Sequence, residues 1–386
     1  MANVKLSNVI RRAQTKVDKD DTDLVFYVGG EHIESENIRV HSRGIIAEST
    51  IGPMFYYGFK AGDFLLVSRN PHLKKAGLVD FDGICSEKTF VLETANSDVL
   101  LPEFLPFVLQ NERFWDYAYR HRHGSTNTFI NWSTLANYEF ELPDLETQRK
   151  LAEVLWSIND TMEAYKNLIS ATDELVKSQF MEQFGDPSNN VYGYPVTTLK
   201  EVAVGPLSYG SVSSATEFDG ITRYVRITDI MDDGNLGRDI KSATKTEAKY
   251  LLHEGDILFA RTGATVGKTC RYRENYGRAI YAGFLIRLIP DTTLIDPDYL
   301  YHFTKSDYYW DFVRSAQRVV AQPNINAQEY GDLQILLPKI EAQKSFAAFV
   351  QQSDKSKFAI QCCSNLNLWS CSACHRPKAT DGVSSR

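Results

Sequence analysis

Three groups of residues carry side chains whose types and spacing could do chemistry. Gly263-Ala264-Thr265-Val266-Gly267-Lys268-Thr269 has the glycines, lysine and threonine of a loop that cradles phosphates. Such a loop needs four residues between its glycines, so that backbone N–H groups ring the anion, and a helix behind it. Here three residues intervene, and Thr262 stands where the first glycine belongs. The stretch from Arg271 to Arg278 is charged and interrupted by Gly277, so no long amphipathic helix follows. A tight loop turning a strand back is the better account. The second group, Cys371-Ser372-Ala373-Cys374-His375, has the spacing of covalent haem attachment, with Cys362 and Cys363 nearby as further thiolates for zinc. That haem chemistry belongs to exported proteins, and Met1 to Lys19 has no apolar signal stretch. A zinc cluster in a short tail has few groups to orient its ligands. No bound nucleotide, haem or metal is expected on this chain.

The third group is basic. The first half offers Arg69-Asn70-Pro71-His72-Leu73-Lys74-Lys75 and Arg120-His121-Arg122-His123; the second offers Arg261-Thr262, Lys268, Arg271 and Arg273. Forked guanidinium donors and amides read base edges, while cations neutralise phosphates. These runs lie among glycines and prolines, where loops are expected. A charge run is usually a solvated face, but here each half carries one after a Gly-Asp-x-Leu motif. No catalytic constellation accompanies them: no HExxH, GxSxG or Asn-Pro-Pro-Tyr-like motif, and paired carboxylates such as Asp232-Asp233 and Asp173-Glu174 lack an evident second partner.

Composition agrees with a non-membrane, multidomain chain. The 386 residues are 43% apolar and 24% charged, with no apolar run long enough to span a bilayer. The net charge of −7 argues against a uniformly basic coat. The segment from Glu141 to Asp186, however, holds ten acids and four bases, leaving the rest near neutral. Cys85 and Cys270 are isolated and the other four cysteines crowd the end, which fits a reducing cytoplasm better than a disulfide framework.

The elements that must position the basic runs are written twice. At an offset of 195, Pro102, Leu105, Trp115 and Ile130-Asn131 match Pro297, Leu300, Trp310 and Ile325-Asn326. Leu142-Pro143-x-x-Glu146-x-Gln148 matches Leu337-Pro338-x-x-Glu341-x-Gln343, and Gly62-Asp63-Phe64-Leu65 matches Gly255-Asp256-Ile257-Leu258 at an offset of 193. Order is preserved, so the chain is read as a duplication. Each repeat opens with short β-like runs, such as Phe64–Val67 and Ile257–Phe259, followed by aromatic-rich helical stretches, a mixed α/β (α+β) domain.

A long helix closes the first repeat. No Gly or Pro interrupts it between Pro143 and Gly185, which predicts roughly 58 Å of helix. Leu151, Val154, Leu155, Ile158, Met162, Tyr165, Leu168, Ile169, Leu175, Val176 and Phe180 recur near a 3.5-residue period. Such a rod wants a partner helix, and residues after Pro338 begin one. Antiparallel rods would hold the two globular domains tens of ångströms apart.

A duplicated α/β domain, each copy followed by an LPxxExQ-headed helix, resembles the specificity subunit of type I restriction–modification systems. Besides the two LPxxExQ blocks, Gly255 to Lys268 and Gln322-Pro323-Asn324-Ile325-Asn326 are in keeping, and the likeness covers about residues 20–360. The resemblance implies two tandem target-recognition domains, each reading half of a bipartite site in double-stranded DNA. It further implies long helices that form an antiparallel coiled coil, act as a ruler and dock two modification subunits. S-adenosylmethionine, ATP and magnesium would then sit only on partner subunits, restriction subunits included, and this chain would not be an enzyme by itself. A pseudo-two-fold internal repeat would follow.

On this reading the first recognition domain is 1–140, the helical spacer 141–186, the second domain 187–336, the second helix 337–361, and the remainder 362–386 an atypical Cys/Ser-rich tail. DNA contacts are expected from Arg69, Lys74, Lys75, Arg120, Arg122, Arg261, Thr262, Lys268 and Arg271. The helix seam or docking face is expected from Leu151, Ile158, Tyr165, Leu175 and Phe349. The departure from the family is the second helix, whose apolar pattern dissolves after Gln361. Two rivals stand beside this reading: a silent or defective recognition cassette with a shortened second helix, and a nucleotide-dependent enzyme using the loop at Gly263.

Overall fold

The GD motif of each repeat is a turn that launches a central strand. Gly62 and Gly255 adopt φ of +94° and +88°, a region open to glycine but strained for other residues, and the aspartate that follows folds back. Asp63 accepts from the Lys60 N–H and Asp256 from the His253 N–H, each at 2.7 Å. The computed structural model describes residues 2–317 and 324–364, with Phe358–Ser364 by backbone alone. Gln322, Pro323, Cys371, Cys374 and His375, with the rest of the tail from residue 365, lie outside the described residues. Contacts divide the chain into two units, Met1–Ala164 and Tyr165–Arg386.

In the first unit β1 (Ile10–Ala13), β2 (Phe64–Val67), β3 (Ala76–Leu78) and β4 (Thr89–Thr94) form an antiparallel sheet in the order β1-β4-β2-β3. The run Phe64-Leu65-Leu66-Val67 is apolar throughout because both sheet faces are covered. Phe64, Leu66, Phe90 and Leu92 face a core shared with Phe114 and Trp115 from the helices, whereas Leu65, Val67 and Val91 face a second core with Val28 and Cys85. That alternation is the period of two that a strand imposes.

The second unit repeats the plan. β5 (Ser208–Tyr209), β6 (Ile257–Ala260), β7 (Thr269–Arg271) and β8 (Leu285–Leu288) stand in the order β5-β8-β6-β7. Ile257, Phe259, Ile286 and Leu288 face the helices, and Leu258, Ala260 and Leu285 the opposite core. Each unit also has a parallel strand pair, Phe26–Val28 with Gly83–Ser86 and Arg223–Val225 with Ala279–Tyr281. In each, the first strand pairs antiparallel with the last, Ala2–Lys5 with Glu139–Leu142 and Val196–Thr198 with Gln334–Leu336.

That last pairing ends at the Leu-Pro of the LPxxExQ block, whose glutamine is wholly buried in both units. The Gln148 amide nitrogen donates to the Val99 and Pro143 carbonyls, both at 2.8 Å, and its oxygen accepts from the Leu101 N–H at 2.9 Å. Gln343 repeats the arrangement with Leu294 (3.1 Å), Pro338 (2.8 Å) and the Asp296 N–H (2.9 Å). A primary amide is the side chain that can both donate twice and accept in one plane. The motif therefore ties the start of each long helix to the loop before the domain's own helices.

Helix α1 (Leu145–Phe184) is 40 residues long and α2 (Ile340–Ser364) is 25. The second helix continues through Cys362 and Cys363, beyond Gln361, where the sequence pattern breaks. The halves of α1 pack separately. In the first unit, the Trp156 indole donates to the Glu103 carbonyl at 2.9 Å and Arg39 bridges Asp160 and Glu163 at 2.7 and 2.8 Å. In the second unit, Val176, Phe180 and Phe184 are buried with Phe346 and Val350 of α2, and Lys357 pairs with Asp173 at 2.7 Å.

All five residues expected at the helix seam or docking face are exposed or half-buried. Leu151 and Leu175 are 40% and 54% exposed, and Ile158 and Tyr165 are only partly covered. Of the five, Phe349 alone packs against the core of the second unit. In the second unit the buried members of the apolar stripe are Val176 and Phe180, joined by Phe184, whose aromatic rings remove the most apolar surface from water. No helix among the described residues is long and apolar enough to cross a membrane.

Candidate nucleic-acid interface

Where β6 runs out, three neighbouring strands of the second unit bring side chains to one patch. The Arg261 N–H donates to the Phe284 carbonyl at 3.1 Å, and Tyr209 lies at the end of β5. Phe284, Tyr209 and nearby Val212 are exposed, Phe284 by 61%. The Arg261 guanidinium lies 4.7 Å from the Tyr209 ring centroid, and its Nε donates to Asn324 Oδ1 at 3.1 Å. The scaffold below is rigid: the Ile325 N–H donates to the Arg261 carbonyl at 2.9 Å, and the Tyr209 hydroxyl accepts from the Ala327 N–H at 3.0 Å. Buried Tyr330 donates to the Ala260 carbonyl at 3.0 Å. Exposed aromatic faces beside a held guanidinium suit base edges and sugar–phosphate alike.

The first unit builds the corresponding corner with other residues. The Ser68 N–H donates to the Lys88 carbonyl and the Ile130 N–H to the Ser68 carbonyl, at 2.8 and 2.9 Å. Buried Ser68 thus occupies the place of Arg261, and Arg69 is one residue further on, pairing with Phe129 as Thr262 pairs with Asn324. Arg69 is exposed, and no ion pair or side-chain hydrogen bond to it is found among the described residues. Beside it Phe129 is 40% exposed and its ring lies 5.6 Å from that of His123.

The other expected contacts are placed differently. Arg120 is exposed at the end of its helix, Glu112–Arg120. Arg122 folds over Tyr119, 3.7 Å from the ring centroid, and donates to the Tyr119 carbonyl at 2.6 Å. Lys74 is clamped between Glu36 and Glu112 at 2.9 and 2.7 Å; burial is the largest single effect and lowers its proton affinity, but the two carboxylates together outweigh it and hold it above the usual lysine value. Lys75 donates to the Gly30 carbonyl at 2.6 Å, and Lys268 pairs with exposed Asp232 at 2.6 Å.

Arg271 is the clearest departure. Its side chain is 12% exposed and bridges buried Asp298 at 2.7 Å and Glu254 at 3.2 Å. A buried carboxylate needs that guanidinium, so Arg271 holds the fold together. Sequence reasoning missed Tyr209 and Phe284, exposed aromatics at or beside strand ends, and Phe129, an exposed aromatic in a loop bridge to Arg69; aligning the ends of equivalent strands in the two repeats would have singled out the first two.

The Gly263–Lys268 loop has the shape expected of a turn. Residues Gly263–Thr265 make a single helical turn and β7 follows, where a phosphate-binding loop requires a helix. Gly267, at φ +86°, is packed so closely that a Cβ would stand 2.6 Å from Val313 Cγ1. Its carbonyl accepts from the buried Tyr309 hydroxyl at 2.9 Å. Cys85 and Cys270 are buried, and burial pushes both thiols up to about 12, so neither is a nucleophile.

The two α/β units thus share one strand order, an amide-locked helix start and an arginine beside exposed aromatic rings. The family model for the type I restriction modification DNA specificity domain matches residues 11–171 and 194–363, and the chain belongs to that family. The specificity subunit of the type I restriction enzyme HindI from Haemophilus influenzae is 26% identical over 132 residues, 33% of this chain and 28% of that subunit. The chain thus matches less than a third of the length of this curated relative. The crystal structure of a type I restriction–modification S subunit from M. genitalium shares the fold, with a TM-score of 0.55 and 14% identity over 94% of this chain and 93% of that one. An HsdS subunit from Thermoanaerobacter tengcongensis aligns over 94% and 91% of the two chains at 19% identity, with a TM-score of 0.38.

Proposed function

We propose that this chain is the non-catalytic, sequence-reading subunit of a type I restriction–modification complex. Each unit reads one half of a bipartite site in double-stranded DNA, and the helices dock two modification subunits. The observation that carries this reading is the repetition: the same sheet order in both units, with Arg69 and Phe129 at one sheet corner and Arg261, Tyr209 and Phe284 at the other. Family membership supplies the DNA-specificity class. Methyl transfer, with its S-adenosylmethionine, and ATP-dependent cleavage, with its ATP and magnesium, belong to modification and restriction subunits. Arg69, Arg120, Arg122, Arg261 and Thr262 are the contacts retained from the sequence reading; Lys74, Lys75 and Lys268 enter only if DNA displaces their acidic or carbonyl partners.

Exposed on α1 are Leu151 and Val154 in the first unit and Leu168 and Leu175 in the second, each pair an apolar face offered to a modification subunit. The test is co-expression with the modification subunit encoded beside it, co-purification, and mapping of methylated adenines. A two-part motif with a fixed unread gap, lost when this chain is deleted, is the expected result. Assembly without methylation would favour the defective-cassette reading, and no assembly of the intact chain would overturn the assignment.

A further inference from the structure

Arg261 is held from three sides before any ligand arrives. Its guanidinium is stacked on Tyr209, its Nε is tethered to Asn324, and its backbone is fixed on both sides by Phe284 and Ile325. Among the described residues, no partner is found for its two terminal amines. Lys268, Arg271, Arg273, Arg287 and Arg226, by contrast, are each paired with a carboxylate. A guanidinium with a fixed plane and two amines that meet no partner among the described residues matches the O6 and N7 acceptors of guanine in the major groove, a pattern no other base presents there. The same fork also fits a phosphate bidentately, but only a guanine contact makes the fork's loss specific to one position of the site.

We propose that Arg261 is the guanine reader of the second unit, contributing one G·C position to the half-site that unit recognises. This rests on the DNA-reading function above. Tyr209 and Asn324 are positioning residues that fix the plane of the fork, and exposed Phe284 is the apolar wall beside it. Lysine at 261 keeps the charge but not the fork, so charge and geometry separate.

The experiment uses the full chain assembled with its modification subunits, scored by adenine methylation on a library with both half-sites randomised. For the unsubstituted complex, one invariant guanine is expected in the second unit's half-site. Arg261→Lys should relax that position alone, by about ten- to a hundredfold in discrimination, with the gap and the other half-site unchanged. Arg69→Lys, as the control in the other unit, should leave that position untouched. A uniform loss of activity across all sequences with a shallower salt dependence would make Arg261 a phosphate contact and overturn the proposal. An unchanged motif would overturn it as well. Should Arg261→Lys fail to assemble, Asn324→Ala removes only the Nε tether; discrimination at the guanine position should then weaken, and unchanged discrimination counts against the proposal. A complex with unsubstituted subunits that shows no bipartite motif would instead sink the DNA-reading function itself.

Discussion

Replacing Gln343 by leucine removes the amide that joins α2 to the second unit. The exchange keeps an unbranched Cβ and similar bulk but deletes three hydrogen bonds at a fully buried position. The Pro338 carbonyl is buried and loses its partner outright, the Asp296 N–H is partly buried, and the Leu294 carbonyl belongs to an exposed residue and can turn to water. At about 1–3 kcal/mol for each buried group left unsatisfied, and with some gain from the apolar leucine, the net loss is about 3 kcal/mol. For a unit of this size that lowers its transition by about 6–12 °C. Calorimetry of the chain would read the shift, and Gln148→Leu should produce the like loss in the first unit. Gln343→Glu sharpens the test, because a carboxylate would face the Leu294 and Pro338 carbonyls with nothing to donate. It should be the worse variant at neutral pH and recover part of the loss once protonated. A transition within about 2 °C of the unsubstituted protein for the leucine variants would refute the idea that the repeated glutamine locks the helix start.

Asp256 and Arg287 are buried together at 2.7 Å, and Asp256→Ala should cost about 3–5 kcal/mol by stranding the guanidinium, readable as a lowered denaturation midpoint. Gly267→Ala combines φ of +86° with a Cβ at 2.6 Å from Val313, whereas Gly277 has φ of +78° and open space. Alanine at 267 should therefore be clearly more destabilising than alanine at 277, and equal melting points would contradict the packing account. Burial lowers His302 to about 3, against about 6.5 in an unfolded chain. Between those values the unfolded chain binds a proton that the folded one refuses. Stability should then fall with falling pH by up to about 1.4 kcal/mol per unit, and His302→Gln should flatten that part of the curve. Arg271→Gln should lower the melting point, through loss of the Asp298 bridge, more than Arg69→Gln does; the reverse order would return Arg271 to the DNA face.

The duplication, the long uninterrupted helix and the strand that follows each Gly-Asp turn were legible because each rests on local rules. Glycine at positive φ, an apolar run between turn residues and the absence of Gly or Pro over a long stretch act within a few residues. The LPxxExQ blocks could be recognised as repeated, but not why. Only the folded chain shows Gln148 reaching the Val99–Leu101 loop and Gln343 the Leu294–Asp296 loop, residues nearly fifty positions away. The sorting of cations likewise lay beyond the sequence. Arg261 and Arg271 are ten residues apart and of one type, yet one stacks half-buried on Tyr209 and the other bridges buried Asp298. Whether a guanidinium is free to meet a ligand depends on the carboxylates and aromatics that other strands carry past it, and that neighbourhood is set by tertiary packing. Which members of the apolar stripe of α1 become buried was settled in the same way, in the second unit by the packing of Phe180 and Phe184 against Tyr299 and Phe346.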